Sequence, residues 1–253
     1  MTTTSRPLVL MYHGVGDRTP EADPDNLFVS PEALRAQLSS LLRRGWRPLR
    51  LADYLAGAGG RRSFLVTFDD GYRSVHDVAL PLLGGLGVPA TVFVLAGLAG
   101  GRSAWMPRMP GEPLLGAAEI LAVQAGGFDI GLHGLDHTAL TSLPRGELYR
   151  QVGVAADRLA ELTGRPPRAF AYPYGAHDPA SRDAVAATGV EVAFATHRGA
   201  GRMAVPRVDV NGTDTAATFR VKSLPGYPML RRLGGTAPGL RPAVRTMLGG
   251  GPI

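Results

Sequence analysis

Short runs of apolar, β-prone residues alternate with amphipathic stretches along most of the chain. Seven runs have the length and composition of buried strands: residues 8–12, 64–68, 91–95, 128–132, 169–172, 190–196 and 205–210. Helical periodicity occupies most of the intervals between them, at residues 74–85, 117–125, 144–163 and 179–188. A further helix begins at Ser30, where Pro31 and Glu32 suit a first turn.

The alternation of strands and helices predicts the architecture. Strands that alternate with helices are typical of a parallel sheet with crossover helices. About seven such strands in 253 residues indicate an α/β fold with a distorted or incomplete (β/α) barrel. An open doubly wound sheet is the alternative, although no glycine-rich phosphate loop follows the first strand. Residues 100–116, rich in Gly and Pro and containing Trp105, form an insertion before a helix.

The uncharged segment 78–101 is long enough to raise a transmembrane interpretation. Pro81, Pro89 and several glycines interrupt it, so we expect a helix, a turn and a buried strand instead. The first ten residues lack the basic region and long apolar segment of a secretory signal. A cytoplasmic location is therefore expected.

Basic charge is concentrated near the end of the chain. The net charge is +6, and no acidic residue follows Asp214. Six basic residues do follow it: Arg220, Lys222, Arg231, Arg232, Arg241 and Arg245. Without these six, 21 basic residues face 21 acidic ones. We therefore predict a neutral domain at residues 1–214 and a basic, Gly/Pro-rich tail at 215–253.

The charge distribution also bears on partners. A neutral domain without a basic motif argues against nucleic-acid binding. The tail, in which arginines are interleaved with apolar residues, would allow peripheral contact with an anionic membrane surface. Simple packing of the tail on the domain is the alternative.

Two adjacent carboxylates follow the second strand. The segment FLVTFDDG at 64–71 delivers Asp69 and Asp70 at a strand end, where barrel and open-sheet active sites form. Adjacent carboxylates repel, and a cation removes the conflict by binding one and leaving the other as a base. Both can face one site only where the strand breaks, which Gly71 permits. An ordinary polar strand end is the alternative.

Two histidines follow the strand at 128–132. His133 and His137 have i, i+4 spacing, which predicts that they lie on one helical face and bind one metal. With a carboxylate they would form a facial triad that leaves coordination positions open. The chain has no cysteine, so nitrogen and oxygen ligands favour zinc, although iron, cobalt or manganese also fits. Two unrelated loop histidines are the alternative.

A tight turn follows the strand at 169–172. Pro173 and Gly175 would aim the backbone N–H of Tyr174 at a developing oxyanion. Taken alone, this segment indicates only the turn that ends a strand.

The three motifs together resemble those of the polysaccharide deacetylases of carbohydrate esterase family four. They are Thr-Phe-Asp-Asp-Gly at 67–71, His-x-x-x-His at 133–137 and Tyr-Pro-Tyr-Gly at 172–175, in that order. The flanking segments Leu-Met-Tyr-His-Gly-Val at 10–15 and Val-Pro-Arg-Val at 205–208 are similar to one branch of that family.

This resemblance covers roughly residues 7–211 and implies a distorted (β/α) barrel. It also implies a metal-dependent hydrolase acting on an N-acetylated glycan. By position, Asp69 would be the general base and Tyr174 would offer its backbone amide to the oxyanion. The metal ligands would be Asp70, His133 and His137.

Two positions depart from the family pattern. Ala171 stands where many members have an arginine that orients the catalytic Asp, and Arg207 is predicted to substitute for it. The late Leu-x-His that supplies the general acid is not recognisable. His13 and His197, at the ends of two strands, are the candidates, and His13 is favoured because Tyr-His adjoins the site in similar sequences. A strand-end histidine without a catalytic role is the alternative for each.

Three functions are consistent with these residues. The leading hypothesis is removal of N-acetyl groups from an N-acetylhexosamine unit in a polysaccharide, oligosaccharide or lipid-linked precursor. The second keeps the metal site but acts on a linear or cyclic amide that is not a sugar. The third is a weakly active glycan-binding protein, motivated by Ala171 and the unassigned general acid.

Overall fold

Parallel strands and helices alternate along the chain in the computed structural model, which describes residues 6–109, 111–197, 199, 201–224 and 227. The strands are β1 (Leu8–Tyr12), β2 (Gly14–Val15), β3 (Phe28–Val29), β4 (Arg47–Pro48), β5 (Ser63–Phe68), β6 (Ala90–Val94), β7 (Asp129–Leu132), β8 (Ala169–Ala171), β9 (Val192–Ala195), β10 (Val205–Pro206) and β11 (Val208–Asp209). The helices are α1 (Pro31–Arg43), α2 (Leu51–Leu55), α3 (Leu80–Leu86), α4 (Ala117–Ala125), α5 (Arg145–Leu148), α6 (Ala155–Thr163), α7 (Pro179–Ala186) and α8 (Ala216–Lys222). π-helical turns at Val75–Ala79 and Tyr149–Val154 lead into α3 and α6.

The main sheet wraps into a nearly closed barrel. Its strands follow the order β10-β9-β8-β7-β6-β5-β1-β11, and every pairing is parallel. Only Arg207 separates β10, which pairs with β9, from β11, which pairs with β1. One split strand, predicted as the continuous run 205–210, therefore joins the two sheet edges. The predicted distorted (β/α) barrel is confirmed.

The uncharged segment 78–101 contains the elements expected of it. Helix α3 ends at Gly87, whose left-handed backbone caps it, and the buried strand β6 follows. Within the described ranges, no helix is both long and apolar enough to cross a membrane. The apolar pattern did not predict the short elements α2, β2, β3, β4 and α8.

Alternate strand residues fill the barrel interior. The buried interior cluster comprises Val9, Leu65, Phe93, Ala169, Ala171, Val192, Phe194 and Val205, with Leu51 and Leu55 of α2. The rings of Phe93 and Phe194 pack at 5.7 Å, and the Arg207 guanidinium lies 5.7 and 5.8 Å from their centroids. Gly131 makes room for Phe93, because a Cβ there would lie 2.5 Å from its ring atoms.

Replacing Gly131 by alanine is expected to lower the free energy of unfolding by about 1–3 kcal/mol, because the methyl overlaps the buried ring of Phe93. Gly84→Ala in α3 is the matched control. A Cβ there meets no atom within 4 Å, so alanine is expected to stabilise the helix by about 0.5–1 kcal/mol. Urea denaturation of the three proteins measures both effects. Unchanged stability of Gly131→Ala would mean that the interior repacks freely.

The first part of the predicted basic tail packs on the barrel. Helix α8 buries Phe219, and the buried Lys222 Nζ donates to Asp209 O at 3.0 Å and to the Asp214 carboxylate at 2.7 Å. The charge of Lys222 is therefore paired within the fold. Arg220 is exposed, and the other four tail arginines, at 231, 232, 241 and 245, lie outside the described residues. The domain boundary at 214 and the membrane contact stay predictions.

Candidate active site

The carboxyl ends of the barrel strands carry all the site residues that the sequence predicts. His13 follows β1, Asp69 and Asp70 follow β5, His133 and His137 follow β7, Tyr174 follows β8, His197 follows β9 and Arg207 follows β10. The buried members are Asp69, Asp70, His133, His137 and Arg207. Parallel strands end at one edge, so residues far apart in sequence share one mouth of the barrel.

The chain breaks away from β5 directly after Asp69. Strand β5 ends at Phe68, and Asp70 and Gly71 both have left-handed backbone with φ of +69°. The break that two adjacent carboxylates require is therefore present, but it begins at Asp70 itself rather than at the glycine. Aspartate tolerates this conformation better than most residues do, because its short side chain bonds locally.

His133 and His137 do not lie on a helix, so that prediction is wrong. Residues 133–137 form an irregular loop in which Gly134 and His137 have φ of +91° and +67°. The carbonyls of Gly134 and Leu135 accept hydrogen bonds from the neighbouring loop, at Ala96 N and Gly97 N, rather than from a helical turn. Backbone reversal, and not the helical period, brings the two imidazoles together.

Three ligand-type atoms converge between these loops. His133 Nε2 and His137 Nε2 lie 3.1 and 3.2 Å from Asp70 Oδ1. Among the described residues, that buried oxygen has no partner in hydrogen-bond geometry, so the ring nitrogens approach it without bonding to it. Atoms that each bind one tetrahedral zinc at about 2.0–2.2 Å lie about 3.3 Å apart. The three side chains therefore fit a metal ion with two nitrogen ligands and one oxygen ligand.

The pKa shifts of Asp70 and His137, two of the three triad residues, suit a cation. Burial alone would raise the pKa of Asp70, but the His137 charge and the contacts with both imidazoles hold that pKa well below its usual range. Burial lowers the pKa of His137 more than Asp70 raises it. Burial lowers the pKa of His133, but the contacts with Asp70 and the charge of Asp69 have the larger opposite effect, so the pKa is raised. An ionised carboxylate and a neutral imidazole are the forms that bind metal. The shifts of Asp70 and His137 favour those forms, whereas the raised pKa of His133 means that a metal must displace a proton from this ring.

Arg207 and Asp69 form a buried, two-pronged ion pair. The guanidinium Nη1 and Nη2 donate to the two Asp69 carboxylate oxygens at 2.7 and 2.6 Å. Nη1 also donates to Thr67 Oγ1 at 3.0 Å, and Nε donates to Ala195 O at 3.2 Å. Arg207 therefore contacts both oxygens of Asp69, and its role in place of Ala171 stays a prediction. Its location at the split between β10 and β11 is what directs it into the barrel.

The ion pair sets the charge of Asp69. Burial would raise the pKa of this carboxyl, but the Arg207 charge and hydrogen bonds, aided by His133 and His13, lower that pKa below its usual value. Asp69 is therefore ionised at neutral pH and its carboxylate plane is fixed. A general base must be deprotonated and oriented, and the ion pair provides both, although the lowered pKa also makes this carboxylate a weaker base.

His13 directly follows β1, the strand that pairs with the carboxylate-bearing β5. The Asp69 N–H donates to Tyr12 O at 2.9 Å, one residue before His13. The His13 charge contributes to lowering the pKa of both Asp69 and Asp70. His197 is half-buried, two residues beyond the end of β9. The choice of general acid between the two histidines stays a prediction.

Left-handed backbone at non-glycine residues concentrates at this site. Of five such residues in the described ranges, Asp70, His137 and Tyr174 belong to it. Tyr174, with φ of +58°, lies in the predicted turn at Pro173–Gly175. Such conformations cost about 1–3 kcal/mol each, persist only where surrounding contacts enforce them, and cluster at active sites. The role of the Tyr174 amide stays a prediction.

Two aromatic rings pack against His137, and the motifs did not predict these contacts. Trp105 stacks on it, with ring centroids 4.6 Å apart and an angle of 15° between planes. The half-exposed Tyr174 meets it edge-on at 4.4 Å. Trp105 comes from the Gly/Pro-rich insertion after β6. A tryptophan in a loop at the carboxyl end of a barrel strand was the available signal for a site residue.

Residues 56–193 match the family model for polysaccharide deacetylase. Comparison with curated proteins found no match. Among solved structures, IcaB from Ammonifex degensii is 26% identical with a TM-score of 0.72, over 88% of this chain and 97% of that chain. The Streptococcus pyogenes deacetylase PplD in complex with acetate is 21% identical with a TM-score of 0.74, over 83% and 95%. BC0361, a polysaccharide deacetylase from Bacillus cereus, is 23% identical with a TM-score of 0.74, over 88% and 70%.

Proposed function

Because the chain belongs to the polysaccharide deacetylase family, we propose that it is a metal-dependent hydrolase that removes N-acetyl groups from an N-acetylhexosamine-containing glycan. Family membership supports de-N-acetylation of a glycan, and the motif resemblance is confirmed. The observation that carries the finer proposal is one pair of adjacent carboxylates in two environments. Asp69 is held by an arginine, whereas Asp70 faces two imidazoles.

The metal triad of the proposal consists of Asp70, His133 and His137, which would bind the ion through one carboxylate oxygen and two Nε2 atoms. When bound, the metal supplies Lewis acidity that polarises the acetyl carbonyl and lowers the pKa of water. Zinc suits these ligands and hydrolytic chemistry, and iron, cobalt and manganese fit the same set.

Asp69 is proposed to take the proton of the attacking water. Its ionised state favours this step, since a base must be deprotonated before it acts. Arg207 holds both carboxylate oxygens and so limits rotation of the base. Asp70 faces the imidazoles of His133 and His137 and would bind the metal. The two adjacent carboxylates therefore have different proposed roles.

The rest of the reaction is assigned to groups at the rim. The Tyr174 backbone amide would donate to the oxyanion, as the turn after β8 suits an amide that faces the site. His13 would protonate the leaving amine, and its position one residue after Tyr12, whose carbonyl accepts from Asp69 N at 2.9 Å, supports it over His197. A donor within reach of the leaving group is required because an unprotonated amine anion is a poor leaving group.

Acetate release from a panel of N-acetylated glycans is expected to depend on metal. Treatment with a chelator should abolish release, and added Zn²⁺ or Co²⁺ should restore it, because the Lewis acid is removed and returned. The panel should contain polymers, oligosaccharides and lipid-linked precursors, with linear and cyclic amides as comparison substrates.

The other outcomes of the acetate-release experiment favour different hypotheses. Release that survives complete metal removal would contradict metal dependence. Activity on the amides alone would favour the non-sugar hydrolase, and glycan binding without acetate release would favour the binding protein.

A further inference from the structure

The two imidazoles of the proposed metal triad are oriented in different ways. His133 Nδ1 lies 2.8 Å from Ala171 O, a hydrogen bond that fixes the ring and presents Nε2 to the site. His137 Nδ1 is buried but, among the described residues, has no hydrogen-bond partner. A metal-binding histidine almost always has such a partner. Among the described residues, the contacts on the His137 ring include two aromatic rings.

The ring of Trp105 provides a nearly parallel contact. Its centroid lies 4.6 Å from that of His137, with 15° between the planes, so the indole face covers the imidazole. The Tyr174 ring closes a second side edge-on at 4.4 Å. Together the two rings restrict rotation of the imidazole about its Cβ–Cγ bond, which is what the missing hydrogen bond would do.

The loop that carries Trp105 is itself fixed. Trp105 packs against a small buried cluster made of Phe28, Tyr72, Met109 and Leu114. Ser103 N donates to Glu112 O, and Glu112 N donates to Ser103 Oγ, both at 2.9 Å, so the loop is closed at its base. Because this cluster holds the Trp105 ring, that ring can limit the movement of the His137 imidazole stacked on it.

We propose that Trp105 is a positioning residue that holds His137 in its metal-binding orientation by stacking, in place of a hydrogen bond to Nδ1. The inference rests on the proposed metal triad and adds a residue that acts through one of its ligands. Without the aromatic face the imidazole should rotate more freely. Metal binding would then have to restrict that rotation, which lowers the affinity. Loss of outer contacts to a metal ligand typically lowers affinity by about 10–100-fold.

The chain suits a direct test because it has only two tryptophans, Trp46 and Trp105. Trp46 lies in the outer layer, where it packs on the main core and beside Arg44. In a Trp46→Phe background, Trp105 is the only tryptophan, and Co²⁺ binding should quench its fluorescence with a stoichiometry of about one. The visible spectrum of bound Co²⁺ reports coordination geometry, and competition with a chelator gives its affinity.

Two variants separate stacking from simple packing. Trp105→Leu keeps an apolar side chain without an aromatic face, and it should bind Co²⁺ about tenfold more weakly or worse, with an altered spectrum. Trp105→Phe keeps a face and should recover most of the affinity. Circular dichroism establishes that each variant is folded, and Trp46→Phe alone should bind as the wild type does.

Folded Trp105→Leu that binds Co²⁺ with unchanged affinity and spectrum would overturn the inference. So would equal losses in Trp105→Phe and Trp105→Leu, or Trp105 fluorescence that does not respond to Co²⁺. The Co²⁺ measurements do not depend on deacetylase activity. Wild-type protein that shows the expected Co²⁺ behaviour but releases no acetate would contradict the proposed function alone.

Discussion

Replacing Asp69 by asparagine is expected to lower kcat for acetate release by about two to four orders of magnitude while the protein keeps its metal. Asparagine has the shape of aspartate and can still accept one hydrogen bond from Arg207, but its amide cannot take a proton from water. The proposed metal triad uses Asp70 and leaves Asp69 free. Steady-state kinetics and metal analysis of the same sample measure both effects.

Asp129→Asn is the matched control for this experiment. Asp129 begins β7 at the opposite end of the barrel, where its carboxylate accepts from Leu51 N at 3.3 Å. The Asp129→Asn variant should retain the activity of the wild type. Full activity in Asp69→Asn would rule out Asp69 as the base. Loss of metal in that variant would instead make Asp69 a ligand.

Replacing Arg207 by methionine is expected to lower the free energy of unfolding by about 3–5 kcal/mol, because it leaves the Asp69 charge buried without its partner. Methionine is unbranched and apolar, so it can pack beside Phe93 and Phe194 without adding charge. Urea denaturation at neutral pH gives the stability difference. Stability close to the wild type would show that water or another group solvates Asp69.

The double variant with Asp69→Asn distinguishes the ion pair from packing. It should be more stable than Arg207→Met alone, because no charge is then left unpaired. Arg207→Lys keeps the charge but loses the planar fork that binds both carboxylate oxygens, so an intermediate loss is expected. A strictly additive cycle would mean that the two side chains contribute independently.

The same pair makes stability depend on pH. The pKa of Asp69 is lowered in the folded protein, so the pair stabilises the fold at neutral pH and its contribution is lost as pH falls through that lowered value. The stability gap between the wild type and Arg207→Met should therefore narrow in acid. Removing Arg207 also raises the pKa of Asp69, which should move the acid limb of activity to higher pH.

Local patterns in the sequence determined the elements and the chemistry-bearing positions. Apolar runs marked the barrel strands because a strand buried on both faces needs continuous apolar residues. Polar residues at the ends of those runs marked Asp69, Asp70 and His133, because parallel strands end at the same edge. The adjacent carboxylates also implied a break in the strand and two different roles.

Only the tertiary structure decided how these residues are held. Arg207 reaches Asp69 from 138 positions away because the last strand splits where the barrel closes, and no local periodicity encodes that closure. His137 meets His133 through left-handed loop backbone, so the i, i+4 spacing suggested the right partners with the wrong geometry. Trp105 stacks on His137 because its insertion folds back over the site. These contacts depend on loop conformation and strand register over long separations, which residue-by-residue preferences do not specify.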